Sequence, residues 1–319
     1  MPIPVVALIG PTAVGKTALS LDLARALDGE VISVDSRQVY RYMDVGTDKI
    51  DGLTRKEIIH HLLDVVDPDE IFNASDFVDR ASSAIDRILA RGRTPILVGG
   101  TAFYYRALFD GILTVNVPSD PIVRKELMDQ AVSSKGRQAL HDELKRADPQ
   151  SAQRLHPNDS VRVIRALEVY RISGRPLSWW HERPTSQTPC RYSPLYLGLI
   201  RPRDELTDTI ARRVREQFGN GYPEEVRWLL DKGFPPDLPS MKGFGYRELV
   251  LYHQGHMTFD EAVESDVVAT RQFAKRQMTW FRTFFPVRWY DLSKIMYNEV
   301  LLSMLDDSRK HLASGDLVP

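Results

Sequence analysis

The stretch Gly10-Pro11-Thr12-Ala13-Val14-Gly15-Lys16-Thr17 follows an apolar run at residues 5–9 and precedes a helix-like pattern at residues 18–24. It fits the pattern G-x-x-x-x-G-K-[ST] in the expected context, with a strand before it and a helix after it. The glycines let backbone amides wrap an anion, Lys16 supplies positive charge, and the helix N-terminus favours a phosphate. We therefore predict that these eight residues bind phosphates, with Thr17 as a ligand of Mg²⁺.

The composition is that of an ordinary globular protein. The 319 residues are 43% hydrophobic with a net charge of -1, and the longest apolar runs fall short of the roughly 20 residues that a membrane span needs. The single cysteine, Cys190, allows neither a disulfide framework nor a cysteine zinc site and indicates a reducing compartment. We expect a cytoplasmic protein with no membrane contact and no obligate protein partner.

Strand and helix patterns alternate along the chain, which predicts a parallel sheet with crossover helices. Strand-like runs lie at residues 5–9, 31–34, 96–98, 195–200 and 287–290, and helical patterns lie at residues 74–89, 122–132, 136–146, 161–172, 204–218 and 258–283. The fold class is thus α/β, a P-loop NTPase-like core at residues 1–118 and 195–319 with an inserted helical domain at residues 119–194. We expect the final dozen residues to form a frayed tail.

The strand at residues 95–98 ends in Gly99-Gly100-Thr101, where a nucleotide hydrolase would usually carry a metal-binding aspartate. The acid instead follows the strand at residues 31–34, as Asp35. Both strand ends should open on one edge of the sheet, across a cleft from the phosphate loop. Asp35 is then a ligand of Mg²⁺ through water, a general base, or only a turn residue. Thr101 either donates to an anionic oxygen or caps the next helix.

Seven segments occur in the order seen in bacterial tRNA dimethylallyltransferases, and together they cover most of the chain. They are GPTAVGKT (10–17), DSRQVYRYMDVGTDK (35–49), HHLLDVVDP (60–68), PILVGGTAFYYRALFDG (95–111), HPNDSVRVIRALEVY (156–170), GYRE (245–248) and TRQFAKRQMTWFR (270–282). The chain resembles this family closely. The first segment alone fits many unrelated nucleotide-binding proteins.

The resemblance implies that the phosphate loop holds the pyrophosphate of dimethylallyl diphosphate. The N6 amine of the adenosine 3′-adjacent to the anticodon would attack the allylic carbon and release pyrophosphate. Asp35 would then be the general base, Thr101 would lie at the leaving-group side, and Arg213 would contact the diphosphate. A solvated helix face is the alternative for Arg213, since Arg212 and Arg215 are its neighbours.

The same resemblance implies a tRNA anticodon stem-loop as partner, with the target base splayed out of its stack. The implied tRNA contacts are Asp35, Ser36, Arg37, Gln38, Thr101, Val123, Asp159, Ser160, Val161, Arg162, Val163, Lys242, Gly243, Phe244, Gly245, Tyr246, Arg247, Ala269, Thr270, Arg271, Gln272, Phe273, Ala274, Lys275 and Arg276. Gln38 is suited to an adenine edge, whereas Arg37 is equally compatible with solvent. Asp159 or Ser160 is a candidate helix cap, and we expect Phe273, Met278, Trp280 and Phe281 to face the core.

Residues 1–120 carry 12 Lys and Arg against 17 Asp and Glu, and the remaining residues carry 30 against 26. A basic second part fits a polyanion partner. Three other functions stay open from the residues alone. They are a prenyltransferase acting on free adenine nucleotides, a P-loop kinase of a small metabolite, and a nucleic-acid-binding switch without turnover.

Overall fold

Parallel strands form the sheet in this computed structural model, which describes residues 2–111, 117–182 and 191–314. The strands are β1 (Ile3–Ile9), β2 (Gly29–Val34), β3 (His60–His61), β4 (Thr94–Gly99), β5 (Tyr192–Ile200) and β6 (Val287–Asp291). Their order is β3-β2-β4-β1-β5-β6, and each neighbouring pair is parallel. The predicted α/β class with a parallel core is confirmed.

Helices connect the strands and surround the sheet. Those before β5 in the sheet-containing part of the chain are α1 (Lys16–Ala26), α2 (Gly52–Glu57), α3 (Ala74–Ala90) and α4 (Ala102–Asp110). Next come α5 (Pro121–Gln130), α6 (Ser134–Ala147), α7 (Pro149–Arg154), α8 (Ser160–Ser173) and α9 (Leu177–Glu182). After β5 follow α10 (Arg203–Gly219), α11 (Tyr222–Asp231), α12 (Tyr246–His253), α13 (Phe259–Phe281) and α14 (Tyr297–Ala313).

The chain divides into two compact units. The first, the sheet unit, comprises Met1–Asp110 and Cys190–Pro319, and the second, the helical unit, comprises Gly111–Pro189. The sequence predicts that the inserted helical domain begins at residue 119 and ends at residue 194. The later boundary differs because β5 begins at Tyr192, which pairs with Ile3 of β1, so that Pro194 lies inside the strand. Cys190 itself is outside the described residues.

Apolar clusters stabilise the described part of the sheet unit. In one of them, Val6 and Leu8 of β1 pack with Leu19 of α1 and with Val300 and Met304 of α14. In another, helices α10 to α13 pack together and against the segment that follows β2. The prediction that the final dozen residues form a frayed tail is wrong for residues 308–313, which belong to α14. Residues 315–319 lie outside the described part of the chain.

The helical unit has an apolar core of its own. Leu127 of α5, Leu140 and Leu144 of α6, and Val163 and Leu167 of α8 are buried in it. Beside this core the buried carboxylate of Glu168 accepts hydrogen bonds from the side chains of Ser119, Arg124 and Arg165 and from the Asp120 N–H. Among the described residues, no helix of either unit is long and apolar enough to cross a membrane.

Candidate active site

Three loops meet at the carboxyl edge of the sheet. Ile9 of β1 and Val34 of β2 both pair in register with Gly99 of β4, so the segments that follow these strands begin side by side. They enclose a cavity of about 360 Å³. Its lining includes the phosphate-loop residues Thr12, Ala13, Gly15, Lys16 and Thr17, then Asp35, Ser36, Arg37, Gln38, Gly46, Thr47, Asp48, Val98, Gly99, Gly100, Thr209, Arg212, Arg213, Glu216, Gln217, Phe244, Phe273 and Gln277.

The phosphate loop has the backbone of an anion cradle. Gly15 is the N-cap of α1 with φ of 110°, a conformation that side chains rarely adopt, and Ala13 also has a positive φ of 63°. The Lys16 ammonium bends back over the loop and donates to the carbonyl oxygens of Gly10, at 2.9 Å, and Pro11, at 2.7 Å. Two further residues of the loop differ in exposure: Val14 is fully buried, whereas Thr17 is exposed beside Lys16.

The charge of Lys16 is sensitive to its surroundings. Burial, and secondly the positive charge of Arg213, lower the pKa of Lys16 to about 7, against the opposing effect of Asp35 and Asp48. An anion in the cavity would favour the charged ammonium again. The charge of Lys16 is therefore coupled to the presence of an anion in the cavity.

Asp35 faces the same cavity and also makes a turn. Its Oδ1 accepts hydrogen bonds from the backbone N–H groups of Arg37, at 2.8 Å, and Gln38, at 3.3 Å. This is the turn arrangement that the sequence left as one alternative. Neither bond uses Oδ2, so the turn and a chemical role are compatible in one carboxylate.

The turn after β4 is tied to the Asp35 segment. The Thr101 N–H donates to the Val34 carbonyl oxygen at 3.2 Å, and Thr101 Oγ1 accepts from the Ser36 N–H at 3.2 Å. Gly99 and Gly100 line the cavity, and Thr101 lies directly after them. In this structure the hydroxyl thus accepts from the neighbouring loop and joins the two loops.

Arg213 reaches the phosphate loop from α10. Its guanidinium donates to Thr12 Oγ1 at 2.6 Å and to Asp48 Oδ2 at 3.2 Å, while its Nε is buried without a hydrogen-bond partner. The alternative of a solvated helix face does not describe this side chain. It suits Arg212 better, whose side chain is 71% exposed although it borders the cavity.

Arg37 and Gln38 differ from the positions that the sequence suggested. Arg37 donates to the Phe244 carbonyl oxygen at 2.9 Å, and its guanidinium carbon lies 4.5 Å from the centre of the Phe244 ring. It does not point to solvent. Both amide atoms of Gln38 are occupied, because Oε1 accepts from Ser33 at 2.8 Å and Nε2 donates to the Thr47 carbonyl oxygen at 3.0 Å. In this arrangement Gln38 supports the loop and does not offer its amide to a base.

The predicted contacts at residues 242–247 and 269–276 divide by exposure. Lys242, Arg247, Gln272, Lys275 and Arg276 are exposed, and Ala269, Arg271, Gly243, Phe244 and Phe273 are partly buried. Gly245, Tyr246, Thr270 and Ala274 are buried, so the side chains of the last three are unsuited to contact RNA in this structure. Phe273 lines the cavity with its ring 5.1 Å from that of Phe244, and Trp280 is 41% exposed. We expected both to face the core, which Phe281 does.

The remaining predicted contacts lie in the helical unit. Val161 and Arg162 are exposed, and Asp159 and Ser160 are partly exposed at the start of α8. Asp159 is the N-cap residue but makes no side-chain cap; its carboxylate pairs with Arg162 at 3.1 Å. The side chains of two predicted tRNA contacts are poorly placed to reach RNA, since Val163 is buried in the core of this unit and Val123 packs against that core.

Sequence reasoning missed several residues around the cavity. Gln277 of α13 hydrogen-bonds two of its loops, and Asp48 pairs with Arg213. Glu225 of α11 accepts from the N–H groups of residues 44, 45 and 46, and thereby holds the loop that carries Asp48. The motifs D-V-G-T-D-K and A-K-R-Q were visible signals, but nothing local indicated which backbone groups they would meet.

A phosphate loop between β1 and α1, opposed by a carboxylate at the end of β2, defines a P-loop α/β protein with a candidate anion site. The sequence matches the model of the IPP transferase family over residues 38–284. The chain belongs to the IPP transferase family.

Individual relatives agree with this assignment. The chain is 42% identical over 315 residues to the tRNA dimethylallyltransferase of Thermomicrobium roseum, covering 98% of this chain and 94% of that one. It is 44% identical over 289 residues to the tRNA dimethylallyltransferase of Syntrophobacter fumaroxidans, covering 91% and 84%. The resemblance expected from the motifs is confirmed.

Solved structures are similar over nearly the whole chain. The full-length tRNA isopentenylpyrophosphate transferase of Bacillus halodurans has a TM-score of 0.72 at 39% identity, covering 98% of each chain. A eukaryotic dimethylallyltransferase acting on tRNA has a TM-score of 0.79 at 27% identity, covering 95% of this chain and 78% of that one.

Proposed function

We propose that this protein transfers a dimethylallyl group from dimethylallyl diphosphate to N6 of the adenosine 3′-adjacent to the anticodon in tRNA, and releases pyrophosphate. The observation that carries the proposal is the shared cavity of the phosphate loop and Asp35, in a chain of the IPP transferase family. We infer that the reaction takes place in the cytoplasm, where tRNA is available.

The reaction forms a carbon–nitrogen bond, breaks a carbon–oxygen bond and removes a proton from N6. The adenine N6 attacks the allylic carbon, and the carbon–oxygen bond breaks with its electron pair passing to pyrophosphate. An exocyclic amine conjugated with a purine is a weak nucleophile, so a carboxylate that accepts its proton assists the attack. Asp35 Oδ2 is the proposed acceptor, because Oδ1 already holds the turn.

The leaving group gains negative charge as the bond breaks. Cations that interact more strongly with the departing pyrophosphate than with the bound substrate accelerate the reaction. Lys16 and Arg213 supply this charge, and Arg213 is directed at the loop by Thr12 and Asp48. The rings of Phe244 and Phe273 offer an apolar wall for the five-carbon chain or the base.

The residues at the loop fit a Mg²⁺ ion that is held mostly by substrate oxygens and water. Thr17 presents an exposed hydroxyl at the cavity, and within the described ranges no group of three or more His, Cys, Asp or Glu residues could hold a metal. Thr17 would be the protein ligand, and the ion would neutralise part of the diphosphate charge.

The anticodon stem-loop is the proposed RNA partner. Exposed cations at Lys242, Arg247, Lys275 and Arg276 are suited to backbone phosphates. In the helical unit, Arg162 is the corresponding exposed cation. These contacts position the RNA, whereas the choice of base would be made in the cavity.

A labelling assay tests the proposal. The protein is incubated with radiolabelled dimethylallyl diphosphate and, in parallel, unmodified tRNA, AMP or ATP. A control tRNA carries guanosine in place of the target adenosine. We expect label in the unmodified tRNA and none in the control tRNA. Label only in AMP or ATP would refute a tRNA substrate, and ATP consumption with no prenyl transfer would indicate a kinase.

A further inference from the structure

Gln277 is a buried amide on the helix that also carries the proposed phosphate contacts. It is only 6% exposed, although Lys275 and Arg276 directly before it are exposed. Its burial in a polar stretch of α13 needs a cause, because burying an amide without hydrogen-bond partners is unfavourable.

The cause is a pair of hydrogen bonds to two loops of the cavity. Gln277 Oε1 accepts from the Thr12 N–H of the phosphate loop at 2.8 Å, and Nε2 donates to the Gly100 carbonyl oxygen at 3.0 Å. A single planar group thus connects the loop after β1 with the turn after β4. The Thr12 N–H is thereby used by the protein and is not free for an anion.

The connection continues from Gly100 to the proposed base. Thr101 accepts a hydrogen bond from the Ser36 N–H and donates its own N–H to Val34, on either side of Asp35. The leaving-group side and the base side of the cavity are therefore linked through Gln277. No local turn geometry makes this link, since Thr12 and Gln277 are 265 residues apart in the chain.

Gly100 gives an independent indication that the amide is closely fitted. A Cβ atom built on Gly100 would collide with Gln277 Nε2, and its three nearest atoms all belong to the Gln277 amide group. A side chain at this position would therefore push the amide away without entering the phosphate loop.

We propose that Gln277 is a positioning residue that sets the distance between the phosphate loop and the Asp35 segment. The proposal rests on the function proposed above, since it assigns that distance to the prenyl-transfer step. Only a group with an acceptor and a donor side by side makes both bonds. Misplacing reacting groups by about 1 Å can lower a rate about 100-fold.

The test compares Gln277→Met and Gly100→Ala with Gln254→Met, a matched control at an exposed glutamine of the same unit. We expect kcat for tRNA prenylation to fall about 10- to 100-fold in the first two variants. KM for both substrates should stay within about threefold. The double variant should lose little more than either single one, because both changes remove the same link.

Amide hydrogen exchange at Thr12 gives a second readout that does not depend on activity. We expect exchange at least about tenfold faster in Gln277→Met and Gly100→Ala, and unchanged in Gln254→Met. Unchanged exchange would disprove the link. An unchanged kcat, losses that multiply in the double variant, or a rise in KM alone would refute the positioning role. A wild-type protein that labels no tRNA would refute the proposed function, while the exchange rates would still decide whether the link exists.

Discussion

Replacing Asp35 by Asn separates its turn role from its proposed role as a base. Asn keeps an Oδ1 atom that can accept the N–H groups of Arg37 and Gln38, at 2.8 and 3.3 Å in the present structure. It loses the negative charge and the second carboxylate oxygen. A positioned general base contributes about 10²- to 10⁴-fold to a rate. We therefore expect kcat to fall by that factor in Asp35→Asn.

The same substitution should have little effect on folding. A hydrogen bond to a neutral acceptor stabilises by about 1 kcal/mol, against about 1.5 to 3 kcal/mol for a charged one, so Asp35→Asn should cost about 1 kcal/mol or less at this partly exposed site. Asp35→Ala leaves two backbone N–H groups without their partner and should cost more, about 1 to 3 kcal/mol. If Asp35 served only the turn, Asn would be active and Ala would be the damaging variant.

The assay measures single-turnover prenylation of tRNA, pyrophosphate affinity by calorimetry, and unfolding by denaturant. Asp51→Asn is the matched control, because Asp51 Oδ1 accepts two backbone N–H groups in the same way, at 2.8 and 3.0 Å, outside the cavity. Rates are measured over a pH range in every variant, because Asp35 raises the pKa of Lys16 and its loss also alters the charge of that residue. A rate of Asp35→Asn within about threefold of wild type would refute the general-base assignment.

Three further predictions follow from the charges around the loop. The pKa of Lys16 is lowered to about 7 in the free protein, so pyrophosphate affinity should be greatest below pH 7 and fall by up to about tenfold per pH unit above it. Lys16→Arg, which stays charged, should lack this part of the decline. Calorimetric pH profiles that are parallel in the two proteins would contradict this prediction. Arg213→Met should weaken pyrophosphate binding about 10- to 100-fold, as expected for charged hydrogen bonds. The control variant Arg215→Met loses only an exposed ion pair with Glu264 and should bind pyrophosphate normally. Equal affinities of the two variants would exclude a contact between Arg213 and the diphosphate. Glu225→Gln should lower the free energy of unfolding by about 2 kcal/mol, because Glu225 accepts hydrogen bonds from three backbone N–H groups. The same change at the exposed Glu224 should leave the free energy of unfolding unaltered. Similar denaturation midpoints of the two variants would argue against a role of Glu225 in holding the loop that carries Asp48.

The central strands could be predicted because parallel strands buried on both faces are continuous apolar runs. β1, β2 and β4 begin and end within about two residues of the predicted bounds, as expected for boundaries predicted from sequence. β3 was missed, since it has only the two residues His60 and His61, too few for any periodic pattern. The start of β5 is not predicted because Pro194 is typical of a strand boundary, whereas here Pro194 lies within β5 and pairs with Val5 of β1.

The C-terminal helix shows why polar sequence misled the prediction. Ser308, the first residue of the segment that was expected to fray, is fully buried, and so is most of the neighbouring Asp307. Asp307 accepts a hydrogen bond from Tyr290 of β6 at 2.7 Å and pairs with Arg288 of the same strand. Those partners lie about 20 residues away in the sequence. The polar composition of the C-terminal segment therefore does not reveal that α14 packs against β6.

The parts of the site that consist of contiguous sequence motifs could be predicted. The parts in which a side chain hydrogen-bonds to backbone groups far away in the sequence could not. The phosphate loop and Asp35 follow strands whose ends must share one edge, so sequence order was enough to bring them together. Gln38 and Gln277 are amides in polar stretches, for which exposure is the natural expectation. Each is turned inward because loop backbone groups require a donor and an acceptor there, at Thr47 and Ser33 in one case and at Gly100 and Thr12 in the other. Whether a glutamine reads a base or supports a loop is thus decided by unpaired backbone groups that only the folded chain brings near.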